Sequence, residues 1–152
     1  MKPTIRRATL EDMPEMLPMF REFYKTTEYA PLVEYDEATV EELATIITND
    51  HLMLVAEGSE PGTLAGVVGM MYCPWSFNKA FKMCAEVVWH VKPEEQRNGA
   101  GSALLDAIEP EGRSDGATIF YMFTLSTSPA FAVQAYLNRD YIAAGHSFLK
   151  VV

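Results

Sequence analysis

Cys84-Ala-Glu-Val-Val-Trp-His-Val-Lys-Pro-Glu-Glu-Gln-Arg-Asn-Gly-Ala-Gly-Ser-Ala-Leu-Leu105 reads as a strand, a glycine-bearing loop and the first turns of a helix. The β-branched and aromatic run Val87, Val88, Trp89, Val91 favours a strand, and Pro93 ends it because proline supplies no ladder donor. Ala100, Ala103, Leu104, Ala107 and Ile108 recur at helical spacing and form one apolar stripe. Between strand and helix, Gly99 and Gly101 remove two side chains where unpaired N–H groups of the helix start share one space. Such donors attract phosphate oxygens. The loop is expected to bind an anion through its backbone.

Spacing separates the kinds of phosphate loop. A P-loop needs Gly-x-x-x-x-Gly-Lys-Ser/Thr, and this stretch lacks the lysine. A dinucleotide fingerprint needs Gly-x-Gly-x-x-Gly, whereas Gly99-Ala100-Gly101-Ser102-Ala103-Leu104 lacks the third glycine, and Glu94 to Asn98 intervene before the first. A nucleotide-binding oxidoreductase is therefore disfavoured. Gln96-Arg97-Asn98-Gly99-Ala100-Gly101 instead matches Gln/Arg-x-x-Gly-x-Gly/Ala, with Val91-Lys92-Pro93 in front of it. It resembles the acyl-CoA-binding motif of the GNAT superfamily of N-acyltransferases.

The flanking sequence agrees. Ala117 to Leu125 is an apolar, aromatic run of strand length, and Ser128 leads a helix with Phe131, Ala135 and Tyr136 at helical spacing. Ala132-Val133-Gln134-Ala135-Tyr136-Leu137-Asn138-Arg139-Asp140-Tyr141 resembles the family pattern Ala-x-x-Leu-Tyr-x-x-x-Gly-Phe, with Tyr136 on the family tyrosine. Upstream, Thr4 to Ala8 reads as a strand, and Thr9-Leu10-Glu11-Asp12 as a capping box opening a helix that Pro14 and Pro18 kink or delay. Asp36 is placed to cap a second helix, and Leu52 to Ala56 with Leu64 to Tyr72 form a hairpin across Gly58 to Gly62. The order β-α-α-β-β-β-α-β-α-β is similar to that of the family. It implies one α/β domain over residues 1–152, with a mixed, mostly antiparallel sheet splayed between the fourth and fifth strands and flanked by helices.

Composition bounds the partners. The chain has 152 residues, 49% of them apolar, enough for one core. Net charge is −9, which argues against nucleic acid, and no apolar run approaches a membrane span, so no membrane partner is expected. Cys73 and Cys84 are too few for a disulfide framework and form no zinc pattern with histidine, so a reduced, cytoplasmic protein without a metal is expected. From Thr26 through Asn78 there is no Lys or Arg, yet the stretch holds Glu28, Glu34, Asp36, Glu37, Glu41, Glu42, Asp50, Glu57 and Glu60. A negative mouth there would concentrate a cationic amine, although the same charges also read as a solvated surface. Lys92, Arg97 and Arg113 are placed to offset the charge of an anionic cofactor.

The resemblance implies acetyl-CoA as acyl donor and a primary amine, in a small molecule or a protein, as acceptor. It implies cofactor contacts at Val91, Gln96, Arg97, Asn98, Gly99, Ala100, Gly101 and Ser102. Direct attack in a ternary complex needs a base for the amine, a donor for the carbonyl oxygen and a proton for the leaving sulfur. Glu86 is the first candidate base. Strand alternation groups it with Val88 and His90, making His90 the second, unless a bulge upsets the parity. A backbone N–H near Val91 would meet the carbonyl oxygen, and Tyr136 would serve the sulfur. The structural alternatives are a surface carboxylate at Glu86, a packed histidine at His90 and a core tyrosine at Tyr136; His51 and His146 read as packing or surface residues. Tyr29, Tyr35, Trp75 and Phe77 are aromatics that could face the acceptor or lie in the core.

Departures from the family pattern support a rival. Pro129 stands where the family has asparagine, and Asp140 where it has glycine. Pro110 should shorten or kink the third helix, and Ile142 to Val152 leave room for one strand or two stubs, so an edge strand could be missing and a homodimer could cover the edge. The rival is a degenerate GNAT-fold protein that binds another protein as effector or inhibitor. The compact chain is similar to small bacterial and phage members of the family.

Overall fold

The computed structural model describes residues 2–152. Strand β1 (Ile5–Arg7) is followed by a 3-10 turn over Leu10–Asp12 and helix α1 (Met13–Lys25). The Thr9 N–H donates to the Asp12 carboxylate at 2.8 Å, fixing the entry to that turn. Pro14 falls in the first turn of α1, where no intrahelical N–H is needed, and the helix runs on through Pro18. Helix α2 (Glu37–Asp50) starts at Asp36, whose carboxylate accepts the Thr39 N–H at 2.9 Å. Then come β2 (Leu52–Glu57), β3 (Leu64–Trp75), β4 (Asn78–Val91), α3 (Ala100–Ser114), β5 (Ile119–Tyr121) and α4 (Ala130–Leu137). The helix α3 does not stop at Pro110, because Pro110 and Asp106, the carbonyl it leaves unpaired, both lie on the exposed side.

The five strands lie in chain order, antiparallel except for the parallel pair β4 and β5. Both faces are covered, which is why β2 is buried from Leu52 to Ala56 without alternation. One core, against α3 and α4, joins Leu54, Val68, Met70, Cys84, Leu104, Ile108 and Tyr136. The other, against α1 and α2, joins Met16, Phe20, Ile47, Met53, Val55, Val67 and Val88.

Two irregularities shape the centre of the sheet. Gly69 pairs with Val88 and Met70 with Glu86, so Val87 is an extra residue, a β-bulge in β4. The bulge reverses the alternation beyond it. Glu86 shares a register face with Met70, beside Cys84, Trp89 and Val91 toward α3, while Val88 and His90 fall on the α1 face. The expected grouping of Glu86 with Val88 and His90 on one face is therefore wrong.

The second irregularity is the splay. β5 pairs with β4 only at Met83 with Ile119, Cys84 with Phe120 and Ala85 with Tyr121. The strand expected over 117–125 is cut to three residues, because β4 diverges on one side and no strand pairs on the other. The strand expected after Tyr141 does not form, and residues 142–152 contain neither helix nor strand. An open cavity of about 1600 Å³ lies between β5, the end of α4 and this tail. Asp140 takes the left-handed conformation expected of the residue standing for glycine, with φ 63°. Among the described residues no helix is long and apolar enough to cross a membrane.

Candidate active site

The loop before α3 is held by a carboxylate that nothing in the motif spacing marks, Glu95. Glu95 is buried, and its side chain accepts the Ser59 N–H at 3.2 Å, the Ser59 hydroxyl at 2.8 Å and the Asn98 amide at 2.7 Å. These donors hold its pKa below the usual glutamate value, the Ser59 hydroxyl contributing most. Gln96 reaches back to the Val91 carbonyl at 3.4 Å. The side chains of Gln96 and Asn98 thus shape the loop, and what they offer outward is backbone. Arg97 is exposed. Lys92 is paired with Glu15 at 2.9 Å, and Arg113 with Glu109 at 3.3 Å near the far end of α3, so neither is free to offset charge at the loop.

Gly99 turns the chain into α3 with φ 79°, and a Cβ there would meet nothing within 4 Å. The backbone conformation and the open space both suit an approaching anion. The first bond into the helix runs from the Ala103 N–H to the Gly99 carbonyl at 2.9 Å. The N–H groups of Ala100, Gly101 and Ser102 stand ahead of that ladder. Ser102 itself is tied to α4: the Arg139 guanidinium donates to its hydroxyl at 2.7 Å and to Asp106 at 2.8 Å. Arg139 was not legible as a site residue, since nothing in its spacing shows that α4 ends beside the start of α3.

Beyond Ala85 the β5-facing edge of β4 has no ladder partner. Lys92 donates to the Ala65 carbonyl across β3, so by alternation the Val91 and Trp89 N–H groups point to the open edge. The Trp89 indole lies beneath Gly101, and its Nε1 is buried without a hydrogen-bond partner. A buried donor of this kind suits a polar ligand in the cleft between β4, α3 and α4.

Glu86 and Tyr136 meet at the backbone of one residue, Phe123. The Phe123 N–H donates to the Glu86 carboxylate at 2.8 Å, and the Tyr136 hydroxyl donates to the Phe123 carbonyl at 3.1 Å. Burial pushes the Glu86 pKa up to about 7 against the opposing pull of that N–H. Tyr136 is buried between Trp89 and Tyr141, with ring centroids at 5.7 and 5.8 Å, and burial with the nearby Glu86 charge raises its pKa. It stays protonated at neutral pH. The role of Phe123 is carried by its backbone and leaves no trace in side-chain identity.

His90 is half-buried on the other face, where burial lowers its pKa against the opposing charges of Glu22 and Glu94. It does not join Glu86. His51 accepts the Tyr72 N–H at 2.9 Å, and His146 is exposed in the tail. Glu28, in the loop between α1 and α2, accepts both the N–H and the hydroxyl of Ser126, tying that loop to the segment after β5. Tyr29 and Trp75 line the large open cavity, Tyr35 lines a smaller one, and Phe77 is exposed.

A parallel pair that splays beside a bulge, with a glycine loop opening the next helix, makes a GNAT-like α/β fold. The chain belongs to the acetyltransferase (GNAT) family, whose model matches residues 13–139. No curated protein matches the sequence significantly. Solved structures match the fold along nearly its whole length. A predicted acetyltransferase from Clostridium acetobutylicum, solved with acetyl-CoA, is similar with a TM-score of 0.72 at 14% identity, over 98% of this chain and 95% of that one. An aminoglycoside acetyltransferase from an uncultured soil metagenomic sample, in complex with trehalose, gives 0.72 at 15% identity over 98% and 96%. A ribosomal-protein-alanine N-acetyltransferase from Brucella melitensis biovar Abortus 2308 gives 0.70 at 14% identity over 98% and 99%.

Proposed function

We propose that the protein transfers an acetyl group from acetyl-CoA to a primary amine by direct attack in a ternary complex. The observation that carries this reading is the backbone of Phe123, whose N–H and carbonyl hold a carboxylate with a pKa near 7 and a protonated phenol together at the mouth of the splay. Acetyl-CoA supplies an activated thioester carbonyl when bound. The phosphates would be held by the N–H groups of Ala100, Gly101 and Ser102 around Gly99, with the backbone of Gln96, Arg97 and Asn98 lining the approach. The open edge of β4, with the Val91 and Trp89 N–H groups, would hold the extended arm and the carbonyl oxygen.

Glu86 takes a proton from the acceptor ammonium, leaving a neutral nitrogen. As the new C–N bond forms and the C–S bond breaks, Tyr136 gives its proton to the sulfur and regains one from the amide nitrogen by way of solvent. His90, on the opposite face, is left to the acceptor side. The stretch without Lys or Arg from Thr26 to Asn78 favours a cationic acceptor. The reading also carries a cytoplasmic location, supported by the unpaired Cys73 and Cys84, and a homodimer, supported by the uncovered β5 edge.

Thiol release from acetyl-CoA, followed with a panel of primary amines, tests the reading. An amine-dependent rate that falls in Glu86→Gln and Tyr136→Phe is expected. Acetyl-CoA binding without transfer to any amine would overturn it in favour of a protein-binding effector. That second reading draws support from the exposed apolar tail, where Phe148 is 97% exposed.

A further inference from the structure

On the α1 face of the bulge, opposite Glu86, lies a second cavity of about 150 Å³. Phe20 and Phe23 of α1, Val40 and Ile47 of α2, and Val87 of the bulge line it together with Tyr35 from the segment before α2. The walls are apolar but for the hydroxyls of Tyr24 and Tyr35, and that of Tyr24 donates to the Val33 carbonyl at 2.5 Å. The Tyr35 hydroxyl is buried and has no hydrogen-bond partner. Its ring is braced by Tyr24, with centroids 5.3 Å apart, and by the Arg21 guanidinium 5.0 Å from the ring centre. A buried hydroxyl left unpaired costs free energy that a ligand atom could recover.

From these observations we propose that the cavity is the acceptor subsite and takes the aromatic ring of a small arylalkylamine. The inference rests on the acetyl-transfer reading and names its substrate class. Size favours a single ring, since an apolar cavity of about 150 Å³ in another protein holds benzene. Tyr35 adds a preference for a ring bearing a hydroxyl. Position supplies the rest. Val87 and Val88 form the wall of the cavity, and Glu86 is the next residue on the same strand. Beyond Ala85 no strand pairs with that edge of β4, so an amine on a short tether has one open edge to cross before reaching the Glu86 side. The bulge thus serves both faces: it turns Glu86 toward the thioester and Val87 toward the acceptor.

The test is a titration of the protein, with and without CoA, against tyramine, 2-phenylethylamine and spermidine, followed by acetylation of each from acetyl-CoA. Both ring amines are expected to bind at least tenfold more tightly than spermidine, and tyramine about fivefold more tightly than 2-phenylethylamine. Tyr35→Phe should erase the tyramine advantage. Val40→Trp, which puts an indole into the cavity, should weaken both ring amines at least tenfold while acetyl-CoA binding persists; if it does not fold, Tyr35→Phe alone decides. Spermidine bound or acetylated as well as the ring amines, no binding of either ring amine, or a tyramine advantage that survives Tyr35→Phe would overturn the subsite. Acetylation without ring preference would overturn the subsite and leave the transfer reading standing, and ring binding with no amine acetylated would remove transfer, leaving the cavity a ring-binding site and not an acceptor subsite.

Discussion

Glu86 owes its chemistry to two opposed influences, burial that disfavours its charge and a single N–H that favours it. Burial is the larger, and the pKa of about 7 puts the carboxylate at half ionisation near neutral pH. The kcat/KM profile should therefore have an acid limb with its midpoint near pH 7. Glu86→Gln should remove that limb and lower kcat roughly 100-fold or more, the usual scale for losing a positioned base. Stability should respond in the opposite sense. A carboxyl whose folded pKa lies above its unfolded value of 4.5 contributes stability below pH 4.5 and loses it as pH rises through 7. Glu86→Gln should accordingly melt above the unmutated protein at pH 8, and the difference should vanish toward pH 4.5, as thermal melts across that range would show. Tyr136 is tied to the backbone of the same residue, Phe123, so Tyr136→Phe removes one hydrogen bond, about 1 kcal/mol of stability, and the proton for the sulfur. Its acetyl-CoA Kd should stay within about twofold and its kcat fall at least about tenfold, measured by calorimetry and thiol release. Unchanged turnover would take Tyr136 out of the mechanism.

The turn into α3 depends on one backbone conformation. Gly99 sits at φ 79° with open space around it, so Gly99→Ala meets no clash but pays about 1–2 kcal/mol for a left-handed alanine. It should lower the melting temperature and weaken acetyl-CoA binding together. Gly101 differs: a Cβ there would sit 3.5 Å from Trp89 and Val91, an ordinary contact, so Gly101→Ala should fold with its stability within about 1 kcal/mol of the unmutated protein. Equal melting temperatures for the two variants would discount the left-handed turn. This loop was legible because its information is local: Pro93 ends a strand, two glycines shape a turn, and an apolar stripe defines α3. The Asp36 cap and the left-handed Asp140 were legible for the same reason. The bulge was not. Alternation along β4 predicts His90 beside Glu86, and only the pairing with β3 shows that Val87 is supernumerary. Glu95 and Glu94 are likewise indistinguishable in sequence, yet one is buried against Ser59 and the other is exposed. Long-range pairing decided each of these, and no short window contains it.

The sheet ends on a strand with a free side. β5 pairs with β4 along three residues, and among the described residues no strand lies beyond it, although the apolar run of the sequence continues to Leu125. The chain that could have supplied a sixth strand, residues 142–152, forms none, and its Phe148, Leu149 and Val151 are exposed. Phe131 and Leu137 expose further apolar surface on α4. A free strand edge and loose apolar segments on one side of a molecule invite pairing with another chain. A second copy offers the same edge and the same tail, so a two-fold arrangement can satisfy both at once without a new sequence feature. The expected outcome is a particle of twice the 17.0 kDa chain mass in light scattering at tens of micromolar. Deleting residues 145–152 should lower the association constant and shift the mass toward that of one chain, with acetyl-CoA binding kept because the loop before α3 lies elsewhere. A single-chain mass for the full-length protein at that concentration would rule out the dimer and leave the tail as a surface for a different protein, the arrangement the effector reading requires.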